Sequence, residues 1–281
     1  MRAVLYPNIR DERALECTIN TCTTLIKLGF EVGADDKFSS MLGKIEGITL
    51  KSFEVLAEKA DVIIAIGGDG TILHCSKTAS RFDVPLLGIN TGRLGFMASL
   101  EPHELEKLSL LKSGEYTCIR RMMLDITVQG KTFTALNDAV ITKQPMAKLP
   151  DFTVRSNGTA VSSLRADGLI FSTPTGSTAY SLSAGGPIIE PELECIEFSQ
   201  ICAHTLFART MLFSTSKLLS VTFKSDPKQS VSVSIDGEPP IAFHEHEELL
   251  VQKSNRYVDI IDISGNSFYS AVNNKLMQPM K

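Results

Sequence analysis

The chain has 281 residues, 43% of them hydrophobic and 21% charged, with a formal net charge of −4 at pH 7. That length allows one large domain or two ordinary ones, each with a real core. Mild acidity without a basic tract argues against nucleic acid as the main partner, because nucleic-acid capture rests on neutralising phosphates. No apolar run approaches the ~20 residues that a spanning helix needs, so no membrane partner is expected. The opening "MRAVLYPNIRDERALE" reads as strand then helix, without the apolar core and cleavage site of a secretory leader. The six cysteines, Cys17, Cys22, Cys75, Cys118, Cys195 and Cys202, form no C-x-x-C pair. Reduced thiols in a cytoplasmic protein are the expectation.

In chain order, "RAVLY" (2–6) reads as a strand. Residues 11–29 place apolar side chains near i, i+4, i+7 and i+11 ahead of Gly29, the pattern of an amphipathic helix. "DVIIAI" (61–66) is apolar after its first residue and rich in β-branched side chains, as in a parallel strand buried on both faces. A helix over 71–82 and a strand at "VPLLGIN" (84–90) complete a βαβ unit with a right-handed crossover. One further helix is expected around Pro102–Leu111. Short strands follow at 117–128, 132–142, 152–155, 168–172, 219–224, 230–235, 249–253 and 257–263, with turn signals such as "SNG", "SDPK" and "DGEPP" between several of them. The tail, 267–278, is again helical in pattern. The expected architecture is an α/β N-terminal domain with a parallel sheet (1–100) and a β-rich, sandwich-like C-terminal domain (101–265). A C-terminal helix (266–281) is expected to pack back on the first domain.

Three stretches carry chemistry. The first is "GGDG" (67–70), at the carboxyl end of the central strand, where ligands bind in parallel α/β sheets. Gly67, Gly68 and Gly70 permit close approach of backbone to ligand, and the helix from about Thr71 offers free N–H groups to an anion. Asp69 has the wrong charge for a phosphate ligand. It reads equally well as a base that orients a hydroxyl beside a phosphoryl transfer, with a divalent ion near the phosphates, or as a helix cap. The turn is neither a Walker A loop nor G-x-G-x-x-G.

The second stretch is "RADGLIFSTPTGSTAYSLSAGGPI" (165–188), an apolar strand that runs into a hydroxyl-rich turn. A short helix is expected from Ser177 as its N-cap, with Tyr180 available to a base or ribose. The third is "ALNDAVITK" (135–143), where Asn137 and Asp138 interrupt an apolar run. A bound ribose could pair with them, but by itself the string reads more simply as a bulge or turn.

Together these strings resemble the NAD kinase family. The resemblance rests on their order: "GGDG", "INTGRLGF" (89–96), "LNDAV" (136–140), "ADGLIFSTPTGSTAYSLSAGGPI", "HTLFAR" (204–209) and "SIDG" (234–237). It spans nearly the whole chain and is weakest before about residue 60. It implies transfer of the γ-phosphoryl group of ATP, or in some members of polyphosphate, to the 2′-hydroxyl of the adenosine ribose of NAD. It also implies a need for Mg²⁺ or another divalent metal ion, and a homodimer or homotetramer.

By the same resemblance Asp69 is the catalytic aspartate, with Gly70 beside the ligand, and Asn137 with Asp138 holds ribose hydroxyls. Asp167 and Arg165 fall near the nicotinamide end. Thr178, Ala179, Tyr180, Ser181, Leu182 and Ser183 line the dinucleotide, and His74 and Lys148 match occasional ligand contacts. Thr210 after Arg209 and Glu238 after Gly237 depart from the family's usual Pro and Gln. Two other readings compete: a diacylglycerol-type lipid kinase that shares the GGDG turn, and an NAD(P)-binding module without turnover.

Overall fold

The computed structural model of the chain describes residues 1–9, 11–92, 95–205, 207–225, 230–263, 265 and 268–276. Residues 226–228 of the expected turn, parts of "INTGRLGF" and "HTLFAR", and residues 266, 267 and 277–281 of the expected C-terminal helix lie outside them. Strand and helix alternate at first: β1 (Arg2–Pro7), α1 (Glu12–Lys27), β2 (Glu31–Asp35), α2 (Ser39–Leu42), β3 (Ile48–Lys51), α3 (Phe53–Ala57), β4 (Val62–Gly67), α4 (Asp69–Phe82) and β5 (Leu86–Asn90). A 3-10 segment, Pro102–Leu108, then leads into α5 (Ser109–Ser113).

The strand-rich part holds β6 (Thr117–Val128), β7 (Lys131–Ala135), β8 (Asp138–Lys143), β9 (Asp151–Ser156), β10 (Thr159–Arg165) and β11 (Gly168–Ser172). After α6 (Tyr180–Ser183) come β12 (Cys195–Ile201), β13 (Met211–Ser214), β14 (Leu219–Lys224), β15 (Val231–Ile235), β16 (Ile241–Phe243) and β17 (Leu249–Asp262), and last α7 (Phe268–Leu276). The chain forms two compact units, Met1–Arg120 with the chain from Tyr257 onward, and Arg121–Arg256.

The first unit is a parallel sheet in the order β3-β2-β1-β4-β5, with the end of β17 added alongside β5 through Ile260 and Leu86. β4 lies between β1 and β5, and every one of its residues is buried. Val62, Ile63, Ile64 and Ile66 are each at most 1% exposed. At ~1.5–3 kcal/mol for each large aliphatic side chain removed from water, this run explains why β4 takes the centre. Asp11 caps α1, its carboxylate accepting the Arg13 N–H at 3.0 Å.

Residues 101–120 belong to this first unit, not to the β-rich one as expected, because their helical segments pack on α1 and on each other. α7 rests on Phe96, with Phe268 at 6.5 Å between ring centroids and the Lys275 ammonium 4.1 Å from the Phe96 ring.

The strand order fixes where a ligand can sit. From β1 the chain steps to β2 and β3 on one side, then returns to the other side of β1 with β4. The carboxyl ends of β1 and β4 therefore diverge at a topological switch point, where the connecting loops leave a crevice.

The second unit is antiparallel. One sheet runs β13-β12-β11-β8-β15-β16, and β10, β9, β14 and the start of β17 form another ladder. Two expected elements differ. The strand read at 132–142 is broken at Leu136–Asn137 into β7 and β8. The two strands read at 249–253 and 257–263 are one, β17, in which Ser254 Oγ accepts the Arg256 N–H within the strand.

Candidate active site

The crevice at the switch point is a cavity of about 610 Å³ lined by Tyr6, Pro7, Asn8, Ile9, Lys37, Phe38, Gly68, Gly70, Thr71 and His74. Where a side chain would begin at Gly68 or Gly70, no atom of the described residues lies within 4 Å, so this backbone faces open space among them. Gly67 is needed for packing: a Cβ there would strike the Thr71 side chain and lie 3.0 Å from Asn8 Cβ. α4 begins at Asp69 with Gly68 as N-cap and no side-chain cap hydrogen bond. Its first amides are thus available to an anion in the cavity.

Asp69 sits between two glycines of this lining yet is not part of it. Its carboxylate turns to the loop after β5, where Oδ2 accepts the Phe96 N–H at 2.9 Å and Oδ1 the Met97 N–H at 3.3 Å. The helix-cap alternative for Asp69 is thereby set aside. A carboxylate oxygen has two lone pairs, so each keeps one for a further donor. Gly95 makes the arrangement possible, because a Cβ on it would collide with Oδ1 and lie 2.7 Å from Asp69 Cγ. Sequence reasoning quoted the motif that holds Gly95 and Phe96 but gave it no role.

Beside the glycines, Tyr6 is gripped by Phe38, Phe53 and His74, with ring centroids 5.5, 4.8 and 4.9 Å away. Its phenol oxygen accepts from Lys37 Nζ at 2.7 Å and lies 2.7 Å from His74 Nε2. Burial alone would lower the Lys37 ammonium, but the bond to Tyr6 and the charge of Asp35 at 3.6 Å outweigh it and raise the group. His74 follows Gly70 by four residues and Thr71 by three, so it shares a face of α4 with each of them. Nothing in the sequence had singled out Tyr6 or Lys37.

In the second unit, Asn137 and Asp138 stand at the turn into β8. The Asp236 carboxylate accepts three successive amides there: Leu136 N–H at 2.8 Å, Asn137 N–H at 2.8 Å and Asp138 N–H at 3.2 Å. This is what ends β7 and aims the pair. Asn137 Oδ1 is buried and has no hydrogen-bond partner among the described residues. Asp236→Ala should cost about 3 kcal/mol in urea unfolding, since buried donors lose their acceptor. An unchanged midpoint would remove Asp236 from this role.

Asp138 is pushed up to about 7 by burial, then by the charges of Asp236 and Glu197, with the Tyr180 backbone N–H pulling the other way. A carboxyl raised in the fold binds its proton more tightly folded than unfolded, so its contribution to stability falls as pH rises from the ordinary carboxylate range to about 7. Asp138→Asn should therefore stabilise the protein more at pH 8 than at pH 4.5. Melting curves at the two pH values check this, and an equal shift at both contradicts it.

The hydroxyl-rich turn is mostly tied internally. Thr173 Oγ1 donates to Leu136 O at 2.6 Å and accepts the Gly176 N–H at 3.1 Å. Ser177 is not the expected helix cap. It lies in a 3-10 turn, Gly176–Thr178, where its hydroxyl donates to Pro174 O at 2.7 Å and accepts the Ile189 N–H at 3.0 Å. The single-turn helix α6 starts only at Tyr180.

Thr178 Oγ1 donates to Thr175 O, and Thr175 Oγ1 is buried without a partner among the described residues. Ser181 is buried, its hydroxyl donating at 2.5 Å to Glu197 Oε1, which Ser199 also contacts; Ser199 pairs in turn with Thr210. Burial raises Glu197, against the lowering by these hydroxyls. Tyr180 and Ser183 are exposed, and Thr178, Ala179 and Leu182 are half-buried.

Lys148 and Arg165 meet on a separate cavity of about 500 Å³ with Leu149, Asp151, His204, Lys224 and Ser225. There Arg165 forms a bidentate pair with Asp151, at 2.6 and 3.3 Å. Asp167 is paired with Lys143 at 3.3 Å and does not line that cavity. Among the described residues, no three His, Cys, Asp or Glu side chains converge on a place that could hold a metal ion. A divalent ion that arrives with a triphosphate is held chiefly by phosphate oxygens and water.

Comparison with known proteins follows the same division. Residues 6–116 match the model of the ATP-NAD kinase N-terminal domain, and residues 136–263 that of the ATP-NAD kinase C-terminal domain. The chain is similar to the NAD kinase of Natranaerobius thermophilus, 36% identical over 284 residues that cover 98% of each chain. It is 34% identical to that of Thermoanaerobacter pseudethanolicus over 280 residues, again 98% of each. Among solved structures, an Archaeoglobus fulgidus NAD kinase in complex with ATP superposes with a TM-score of 0.75 at 26% identity, covering 96% of this chain and 98% of that one. The yeast NADH kinase complexed with NADH has a TM-score of 0.86 at 23% identity, covering 100% and 89%, and shares the fold.

Proposed function

This chain belongs to the NAD kinase family, and we propose how its residues carry out the family's reaction. The enzyme transfers the γ-phosphoryl group of ATP to the 2′-hydroxyl of the adenosine ribose of NAD, giving NADP. Asp69 takes the proton of that hydroxyl as its oxygen attacks the γ-phosphorus, and ADP leaves with the bridging oxygen. The observation that carries this reading is the orientation of Asp69, which is turned out of the glycine-lined cavity and held by the Phe96 and Met97 amides. Gly67, Gly68, Gly70, Thr71 and the first amides of α4 receive the donor phosphates. Rate then comes from alignment and charge stabilisation, as expected for phosphoryl transfer.

On the second unit, Asn137 and Asp138 hold ribose hydroxyls, which the unpartnered Asn137 Oδ1 supports. Tyr180 offers a ring to a base. Thr178, Ala179, Leu182 and Ser183 line the dinucleotide, with Ser181 contributing through its backbone because its hydroxyl is bonded to Glu197. Asp167, Arg165 and Lys148 serve the nicotinamide end, and His74 a phosphate. Magnesium comes with ATP. The protein acts in the cytoplasm as a homodimer or homotetramer.

Incubation with NAD, ATP and Mg²⁺, with NADP read by a coupled dehydrogenase, tests the reading, and polyphosphate in place of ATP sets the donor range. Phosphorylation of diacylglycerol with no NADP formed, or tight dinucleotide binding without turnover, would overturn it.

A further inference from the structure

We propose that Lys37, held on the Tyr6 phenol at the edge of the glycine-lined cavity, binds the condensed phosphates of the donor. This rests on the phosphotransfer reading above and adds to it a cation that no motif assigns.

Four observations carry it. Among the described residues the cavity at the ends of β1 and β4 is lined by Lys37 and His74 and by no carboxylate, with Asp35 outside the lining at 3.6 Å from the Lys37 ammonium. Asp69, the acid nearest in sequence, is directed away from it to the Phe96 and Met97 amides. The Lys37 side chain is 49% exposed, and its ammonium stands 4.4 Å from the Tyr6 ring centroid and 5.0 Å from that of Phe38. Tyr6, only 9% exposed, is fixed by three rings, so the phenol holds the ammonium at a set place while the four-carbon stem leaves it free to advance.

A neutral phenol is a modest acceptor, and a phosphate oxygen is a stronger, charged one. A linear phosphate chain entering between Gly68, Gly70 and Lys37 would exchange the phenol contact for an ion pair with phosphate oxygen, closer than the one Lys37 makes with Asp35 at 3.6 Å. The Tyr6 hydroxyl stays paired with His74 Nε2, at 2.7 Å, so the exchange leaves no buried group without a partner. The recognised chemistry is a chain of condensed phosphates, which ATP and inorganic tripolyphosphate share.

The test measures steady-state kinetics and calorimetric binding for wild type, Lys37→Met and Lys37→Arg. Lys37→Met should raise KM for ATP roughly 10–100-fold, the value of one charge-assisted contact, with KM for NAD unchanged; Lys37→Arg should restore most of it. Tripolyphosphate, which lacks adenosine, should lose affinity for Lys37→Met by a similar factor. An Lys37→Met protein that melts like wild type but keeps its KM for ATP and its tripolyphosphate affinity overturns the assignment. Absence of NADP formation by the wild type, with tripolyphosphate affinity still lost in Lys37→Met, would reject the reaction while retaining Lys37 as a phosphate ligand.

Discussion

Asp69→Asn is expected to lower turnover by ~10²–10⁴-fold, the usual contribution of a positioned base, with NAD affinity kept within a few-fold. The carboxylate takes one amide on each oxygen, Phe96 N–H on Oδ2 and Met97 N–H on Oδ1. An asparagine can satisfy only one of them and turns its NH₂ toward the other donor. Some local loosening of the 95–97 loop therefore accompanies loss of the base, and a melting curve separates the two effects. The decisive quantity is the single-turnover rate with both substrates saturating. An Asn variant that matches the wild-type rate would mean that another group takes the proton.

Gly95→Ala is the second large effect. The added methyl would meet Asp69 Oδ1 head on and lie 2.9 Å from Oδ2. Both oxygens are tied to the backbone next to Gly95, so relief requires moving either the carboxylate or the loop. A displacement of about 1 Å at a reacting group costs on the order of 10²-fold. The loss should fall on kcat, with little change in KM for ATP, because the methyl points to Asp69 and not into the donor cavity. A fully active Gly95→Ala protein would show that the tight approach of loop and carboxylate is incidental.

Much of this was legible in the sequence, for local reasons. β4 announced itself by an unbroken apolar run, and β11 and β14 match the expected spans because turn residues bound them on both sides. The missed strands β2 and β3 are short. β10, with most of its residues exposed, lacks the alternation that marks a strand. The break between β7 and β8 was legible as a turn at Asn137-Asp138, but its cause was not, because it is the Asp236 carboxylate a hundred residues downstream. The polar Ser254-Asn255-Arg256 stretch imitates a turn, yet the backbone of β17 continues through it.

The site shows the same limit. "GGDG" left base and cap as equally good readings of Asp69, and the structure turns its carboxylate to the Phe96 and Met97 amides and not to the helix start. The hydroxyls of the 173–178 turn looked like ligand groups, but Thr173 donates its to the Leu136 carbonyl and Ser177 its to that of Pro174. Lys37 belongs to no motif and comes to the cavity only because β2 lies next to β1 in the sheet.

The central claim is that the donor phosphates and Asp69 face different partners, the phosphates meeting glycine backbone and Asp69 meeting the ribose hydroxyl. It is tested most directly by the ATP dissociation constant of Asp69→Asn, measured by calorimetry in the presence of Mg²⁺. If Asp69 faces the hydroxyl, removing its charge leaves ATP affinity within about twofold of wild type, since a charge turned away and partly solvated acts weakly on the phosphates. If instead it faces the phosphates, removing that anion tightens ATP binding tenfold or more, and this result would contradict the account.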